Sequence, residues 1–282
     1  MTLIERLFLS CGAAKAGTTW LFSVLKQNPD IYFSYEKEIH YFAQIHGLGN
    51  ALTLTRRLAR FKQFASALQP ETFVSKTFAR RMQWYSRWLS EPLSDEWYAD
   101  LFRQARGQKY IADFCNLNSL LDDRGWMHVR RVADKCKVIY VMRNPLQRLW
   151  SHVKFHAEYI GKVDALQSYD ANQMERAARA SYLWPHSEYG QVVRTLRRNF
   201  NDSEVMFAFY DDIHNDRVNW LRELESFLGV RPGTYDDTLL MRTVNPSRSI
   251  QCRAIFLRCS GAILSEYCQN SKQWACLRLG NG

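Results

Sequence analysis

The sequence contains no run of 18 or more apolar residues, so no segment is long enough to cross a bilayer as a helix. No signal peptide is expected either. The opening MTLIERLFLSCG is short and broken by Glu5 and Arg6, and it reads as the approach to a first strand of a cytoplasmic protein. Among the seven cysteines there is no Cys-x-x-Cys pair, and the odd count argues against a complete disulfide framework or a zinc site. Four of them, Cys252, Cys259, Cys268 and Cys276, gather near the C-terminal end, where a local disulfide stays open. Internal repeats and low-complexity linkers are missing too. A single domain over residues 1–282 is therefore expected, with its core at about 7–229 and residues 230–282 as an extension.

What is present is ordinary globular material: 282 residues, 46% hydrophobic and 23% charged. The charge is uneven, with 38 Lys and Arg against 28 Asp and Glu, a formal balance of +10. Such a surplus favours an anionic partner: nucleic acid, an acidic membrane surface or a highly charged small molecule. A basic solvated surface explains it equally well. Short apolar runs alternate with helical patterns. Strands are expected at Leu7–Cys11, Tyr110–Phe114, Lys137–Met142 and Glu204–Tyr210. Helices are expected at Thr18–Lys26, over 51–68 and at Arg217–Leu228, the last stopped by Gly229. This order predicts an α/β fold with a central, mainly parallel sheet flanked by helices, and ligands at the carboxyl ends of its strands.

Two stretches carry chemistry. Gly12–Thr19, GAAKAGTT, has the glycines and closing threonine of a phosphate-binding loop, yet the lysine lies at Lys15 and position 18 is Thr. Backbone N–H groups around Ala16, Gly17 and Thr18, the start of the following helix, and the Thr18 and Thr19 hydroxyls can together cradle an anion. A lysine set back in the loop suits a shorter anion than a triphosphate. The second stretch, VIYVMRNPLQRLWS, runs a buried strand into Arg143, caps a helix with Asn144 and Pro145, and places Arg148 and Ser151 three residues apart. A triphosphate hydrolase would be expected to end that strand in Asp; here the charge is inverted. Arg148 reads equally as a phosphate contact or as a structural group.

Taken together, KAGTTWL after a strand, then KEIHYF, then IYVMRNPLQRLWSH resemble the sulfotransferase family, from about Leu7 to Gly229. The resemblance implies a P-loop-like three-layer fold. It also implies 3′-phosphoadenosine 5′-phosphosulfate (PAPS) as sulfuryl donor, 3′-phosphoadenosine 5′-phosphate (PAP) as product, and no metal. Contacts to the 5′-phosphosulfate are implied for Lys15, Ala16, Gly17, Thr18 and Thr19, with Trp20 beside them, and to the 3′-phosphate for Arg143 and Ser151. Arg248 is a candidate to close over that phosphate. Carbohydrate-modifying, heparan-sulfate-like members are the branch that the KEIHYF segment resembles most, and the missing anchor points to a bacterial member.

The acceptor needs a base, and Tyr35–Phe42 offers Glu38 and His40, which would face one side if the segment were extended. The resemblance favours Glu38, with His40 assisting and Lys37 near the sulfate, while the branch acting on phenols and steroids uses a histidine, so His40 competes. Asp113 is a candidate on the acceptor side, although the Thr-Pro that many relatives place after this acid is absent from DFCNL. Trp84, Tyr85, Trp88 and Trp97 suit either acceptor stacking or a core. Arg56, Arg57, Arg60 and Lys62 suit either polyanion guidance or a solvated face, and Lys76 reads as surface. The competing functions are a nucleotide kinase with a degenerate loop and a non-enzymatic binder of polyanions or nucleic acid, for which no recognition motif is present.

Overall fold

Leu7, Phe8 and Leu9 are fully buried one after another, as happens only in a strand covered on both faces. They lie at the centre of strand β1, Ile4–Ser10. The computed structural model describes residues 2–69, 75–242 and Phe256; Arg248 and the four C-terminal cysteines lie outside them. The other strands are β2 Ile31–Phe33, β3 Tyr110–Phe114, β4 Ala133–Met142 and β5 Val205–Phe209. They form one sheet in the order β2-β3-β1-β4-β5, and every adjacent pair is parallel. The expected α/β class is what the chain adopts.

Helices join the strands. They are α1 Thr18–Leu25, α2 Tyr41–Ile45, α3 Leu54–Ser66, α4 Lys76–Trp88, α5 Asp95–Asp100 and α6 Asp123–Val132. After β4 come α7 Pro145–Tyr159, α8 Ala171–Ala178, α9 Tyr189–Asn199, α10 Tyr210–Asn215, α11 Arg217–Leu228 and α12 Asp237–Met241. The chain leaves β1 toward β2 and β3 but leaves β4 toward β5 on the other side. The strand order therefore reverses between β1 and β4, and a crevice opens at their carboxyl ends. Two backbone bonds sew that point together: Ala13 N–H donates to the Val141 carbonyl at 2.7 Å, and Val141 N–H to the Gly12 carbonyl at 2.9 Å. The loop after β1 and the end of β4 are thus held side by side.

Where the elements differ from expectation, the reasons are local. β1 and β4 both start earlier than their apolar runs suggest, because Ile4 and Ala133 pair at the polar ends of the two strands. β2 is only three residues long and gave no periodicity to read. The tryptophan-rich stretch is core: Trp84 and Trp88 stack with centroids 5.3 Å apart, and both are buried, as are Tyr85 and Trp97. Arg57 is no surface cation. It is fully buried and donates to the carbonyls of Leu52 at 2.9 Å, Trp88 at 2.6 Å and Ser90 at 2.9 Å, and to Glu91. The basic face of α3 is correspondingly smaller than the sequence implies.

Candidate active site

The loop after β1 is shaped by backbone conformation. Gly17 caps α1 at φ 83 with no side-chain cap, so the first-turn N–H groups of that helix have no intrahelical partner and remain open to an anion. A Cβ at position 17 would come within 3.1 Å of the Tyr210 ring; glycine is required there both by space and by conformation. The Ala16 N–H departs from the expected cradle. It donates to the Ala13 carbonyl at 3.2 Å and closes the turn itself. Thr18 also turns inward: it is 3% exposed, and its hydroxyl donates to Asn116 Oδ1 at 3.2 Å.

Lys15, at φ 68, stands with its Nζ 4.3 Å from the centre of the Phe155 ring. Its ammonium pKa is lowered, chiefly by burial and next by Arg143, with Lys154 and Lys37 adding to the effect and Glu158 opposing it. An ammonium disfavoured by burial and by neighbouring cations is one that a bound anion would stabilise. Arg143 emerges from β4 and lays its guanidinium 4.5 Å from the Tyr210 ring centre. Its Nη1 donates to the Lys15 carbonyl at a long 3.5 Å. The Arg143 Nε is buried with no hydrogen-bond partner among the described residues, a costly state for a charged donor unless a ligand completes it. As expected, Asn144 caps α7 by accepting from the N–H groups of Leu146 and Gln147, and Ser151 follows two turns in, 8% exposed. The doubly phosphorylated donor fits this arrangement: open helix N-terminus and Lys15 on one side, Arg143 on the other.

Arg148 does not join them. It is fully buried, its guanidinium on the Ser187 hydroxyl and on His152 Nδ1, the latter at 3.1 Å. Trp20 also differs from expectation. It is 4% exposed, its indole N–H donates to the Leu240 carbonyl at 3.1 Å, and it ties the C-terminal segment to α1.

The KEIHYF segment is not extended. His40 takes a left-handed conformation, φ 64, just before α2, and this turn, not strand alternation, brings the two candidates together: His40 Nε2 lies 3.4 Å from Glu38 Oε2. A closed ring of hydrogen bonds ties Glu38 to the anion loop. Lys37 Nζ donates to Glu38 Oε1 at 3.0 Å and to Thr18 Oγ1 at 3.4 Å; Thr18 donates to Asn116; Asn116 Nδ2 donates back to Glu38 Oε1 at 2.9 Å. Burial opposes the charge on Glu38, but Lys37, His40 and Arg60 outweigh it and hold the carboxyl below its usual range. His40 is shifted down by burial, with Glu38 pulling the other way. Its Nδ1 is 3.2 Å from the Cys115 sulfur, a thiol that burial raises well above its usual pKa. A thiol that keeps its proton donates to Nδ1, which leaves Nε2–H to face Glu38.

Asp113 is 1% exposed, beneath this segment. Tyr98 donates to it at 3.2 Å, and burial lifts its carboxyl to about 7. Its burial and its bond to Tyr98 place it inside, under the segment that carries Glu38 and His40. Asn116, Cys115 and Tyr210 belong to the site but carry no motif. The signal available for Asn116 and Tyr210 was position: each lies just past the carboxyl end of a strand.

Comparison with known proteins agrees with the geometry. A family model described as a sulfotransferase domain matches residues 6–256. A direct sequence comparison with curated proteins finds no match. Among solved structures, a sulfotransferase from Alicyclobacillus acidocaldarius is similar with a TM-score of 0.60 at 18% identity, covering 92% of this chain and 91% of that one. The sulfotransferase domain from the curacin biosynthetic pathway gives 0.54 at 14% identity, covering 93% and 98%. That of the Synechococcus PCC 7002 olefin synthase gives 0.50 at 19% identity, covering 92% and 94%. At these identities the likeness is one of fold.

Proposed function

The chain belongs to the sulfotransferase domain family, and from that membership we propose that it moves a sulfuryl group from PAPS to a hydroxyl or amine of a carbohydrate or small-metabolite acceptor, with Glu38 as base. The observation that carries this reading is Lys37, whose ammonium reaches both Thr18 at the mouth of the anion loop and Glu38. Donor grip and acceptor activation are therefore one contact apart.

When bound, PAPS supplies the sulfuryl group. Glu38 takes the acceptor's proton as the acceptor oxygen bonds to sulfur and the bond from sulfur to the 5′-phosphate oxygen breaks, its electron pair leaving on that phosphate. Lys15 and Lys37 face the charge that develops there, an electrostatic contribution to the barrier. Arg143 and Ser151 hold the 3′-phosphate. His40 and Asn116 orient Glu38, and with both ring nitrogens engaged His40 serves the base instead of replacing it. Residues 1–282 act as one unit in this reading, which keeps the cytoplasmic location as part of the proposal; among the described residues no helix is long and apolar enough to span a membrane.

The test is transfer of label from radiolabelled PAPS to a panel of alcohols, phenols, amines and glycans. Lys15→Ala is expected to lower kcat about 10²–10³-fold, by analogy with a lost oxyanion donor. Full activity in that variant would remove the lysine from the mechanism.

A further inference from the structure

A cavity of about 550 Å³, a size suited to a small-molecule ligand, lies against the turn that holds Glu38 and is lined by His186, whose imidazole feels the Glu38 carboxylate. Its position follows from the helical turn Asn116–Leu120: Asn116 holds Glu38, while Leu117 and Ser119 line the cavity. Ser119 also approaches the start of the anion loop, 3.5 Å from where a Cβ on Gly12 would stand. The opposite wall comes from the turn Trp184–Ser187 and from α9, and the apolar side chains Leu48, Leu121 and Val192 supply much of the surface.

Two polar features set the cavity apart. His186 lines it and is 4% exposed, yet its Nδ1 has no hydrogen-bond partner among the described residues. Burial, reinforced by Arg148, holds this imidazole down to about 4, so at neutral pH it is an uncharged group lacking one hydrogen bond. The rim is acidic although the protein is strongly basic. Asp122, Asp123 and Glu188 line it together with a single guanidinium, that of Arg198. Asp122 caps α6 and Asp123 is 3.2 Å from Arg198, but the Glu188 carboxylate has no partner among the described residues. A chain of uronic acids or sulfates would meet uncompensated negative charge here.

We propose that this cavity is the acceptor pocket, and that it selects a small, largely apolar molecule that offers a neutral hydroxyl group to His186, discriminating against polyanionic glycans. The inference rests on the sulfotransferase reading and narrows its acceptor. The apolar walls supply affinity, His186 fixes orientation, and Glu188 repels anions.

Calorimetric titration of the PAP-loaded protein with three phenols of similar size separates these contributions: 4-ethylphenol, tyramine and 4-hydroxyphenylacetate, together with a uronic-acid tetrasaccharide. The neutral and cationic phenols are expected to bind at least tenfold more tightly than the anionic one, a difference set by one charge near Glu188, and the tetrasaccharide not at all. Glu188→Gln should shrink the anion penalty. His186→Phe should weaken 4-ethylphenol about fivefold, the worth of one neutral hydrogen bond, and His186→Gln should restore it, with PAP affinity equal in both. The inference is overturned if the anionic phenol or the tetrasaccharide binds as tightly as 4-ethylphenol, if no phenol binds the PAP-loaded protein, or if Glu188→Gln leaves the anion penalty unchanged or His186→Phe leaves the 4-ethylphenol affinity unchanged. In each of those cases PAP binding leaves the donor reading standing, whereas failure of PAP itself to bind overturns both.

Discussion

Replacing Lys37 by methionine keeps most of the side chain's length and removes its charge. The ammonium is 3.0 Å from Glu38 Oε1, and Coulomb's law gives that pair about 1.4 kcal/mol in a water-like dielectric and about 5.5 kcal/mol at an effective value near 20. One pKa unit corresponds to about 1.4 kcal/mol. The side chains are 19% and 27% exposed, so the lower part of that range applies, and a rise of about 1–2 units is expected for Glu38. The sign follows from the balance in the folded protein. Burial pushes the carboxyl up and Lys37 is the largest influence pulling it down, so the variant loses its main counterweight. The pH profile of kcat/KM reports the base in the free enzyme. In the wild type its acid limb should lie below the ordinary glutamate range, because Glu38 stays ionised there. In Lys37→Met the limb should move upward by the stated amount. An unmoved limb, with the profile otherwise intact, would show that Glu38 is not the titrating base.

Further outcomes follow from the same geometry. Glu38→Gln should lower kcat about 10²–10⁴-fold, the usual span for a lost general base, whereas His40→Gln should cost less and raise the acid limb by less than Lys37→Met does, since Lys37 is the larger influence on Glu38; the reverse order of kcat losses would make His40 the base. Asp113→Asn should change stability with pH. Burial lifts the folded pKa to about 7, above the unfolded value of 3.8, so the native state keeps a proton that the unfolded chain releases. The contribution of Asp113 is fully present at acid pH and is lost as pH rises through about 7. The thermal midpoint of the variant relative to wild type should therefore climb between about pH 4 and pH 7 and level off above it, and a constant difference would contradict this environment for Asp113.

The parts of the site legible in the sequence are those built by consecutive residues. A strand, a glycine-bounded turn and a helix placed Lys15, Gly17 and Thr18; a strand running into Asn-Pro placed Arg143. Each is a local unit whose chemistry and geometry coincide. The convergence of Glu38 and His40 was foreseen for the wrong reason, since the left-handed turn at His40 leaves no mark in the residue pattern. Contacts between distant segments were the least visible. Asn116 meets Glu38 across 78 positions because β2 and β3 run parallel side by side, and Arg148 meets Ser187 across 39 within the long connection from β4 to β5. Trp20 and Ala16 were assigned by adjacency to the loop, but Trp20 lies with Leu21 and Val24 on the buried side of α1, and Ala16 spends its N–H on Ala13.

The central claim is that the loop after β1 and the end of β4 grip opposite ends of one nucleotide. It is tested most directly by titrating PAP and AMP, which differ by the 3′-phosphate, into wild type and Arg143→Ala without added metal. The wild type should prefer PAP by about 100-fold, as two charge-assisted hydrogen bonds to a phosphate allow, and Arg143→Ala should bind the two nucleotides almost equally while keeping its affinity for AMP. If the variant still prefers PAP as strongly as the wild type, Arg143 does not hold the 3′-phosphate, and the two-ended grip is wrong.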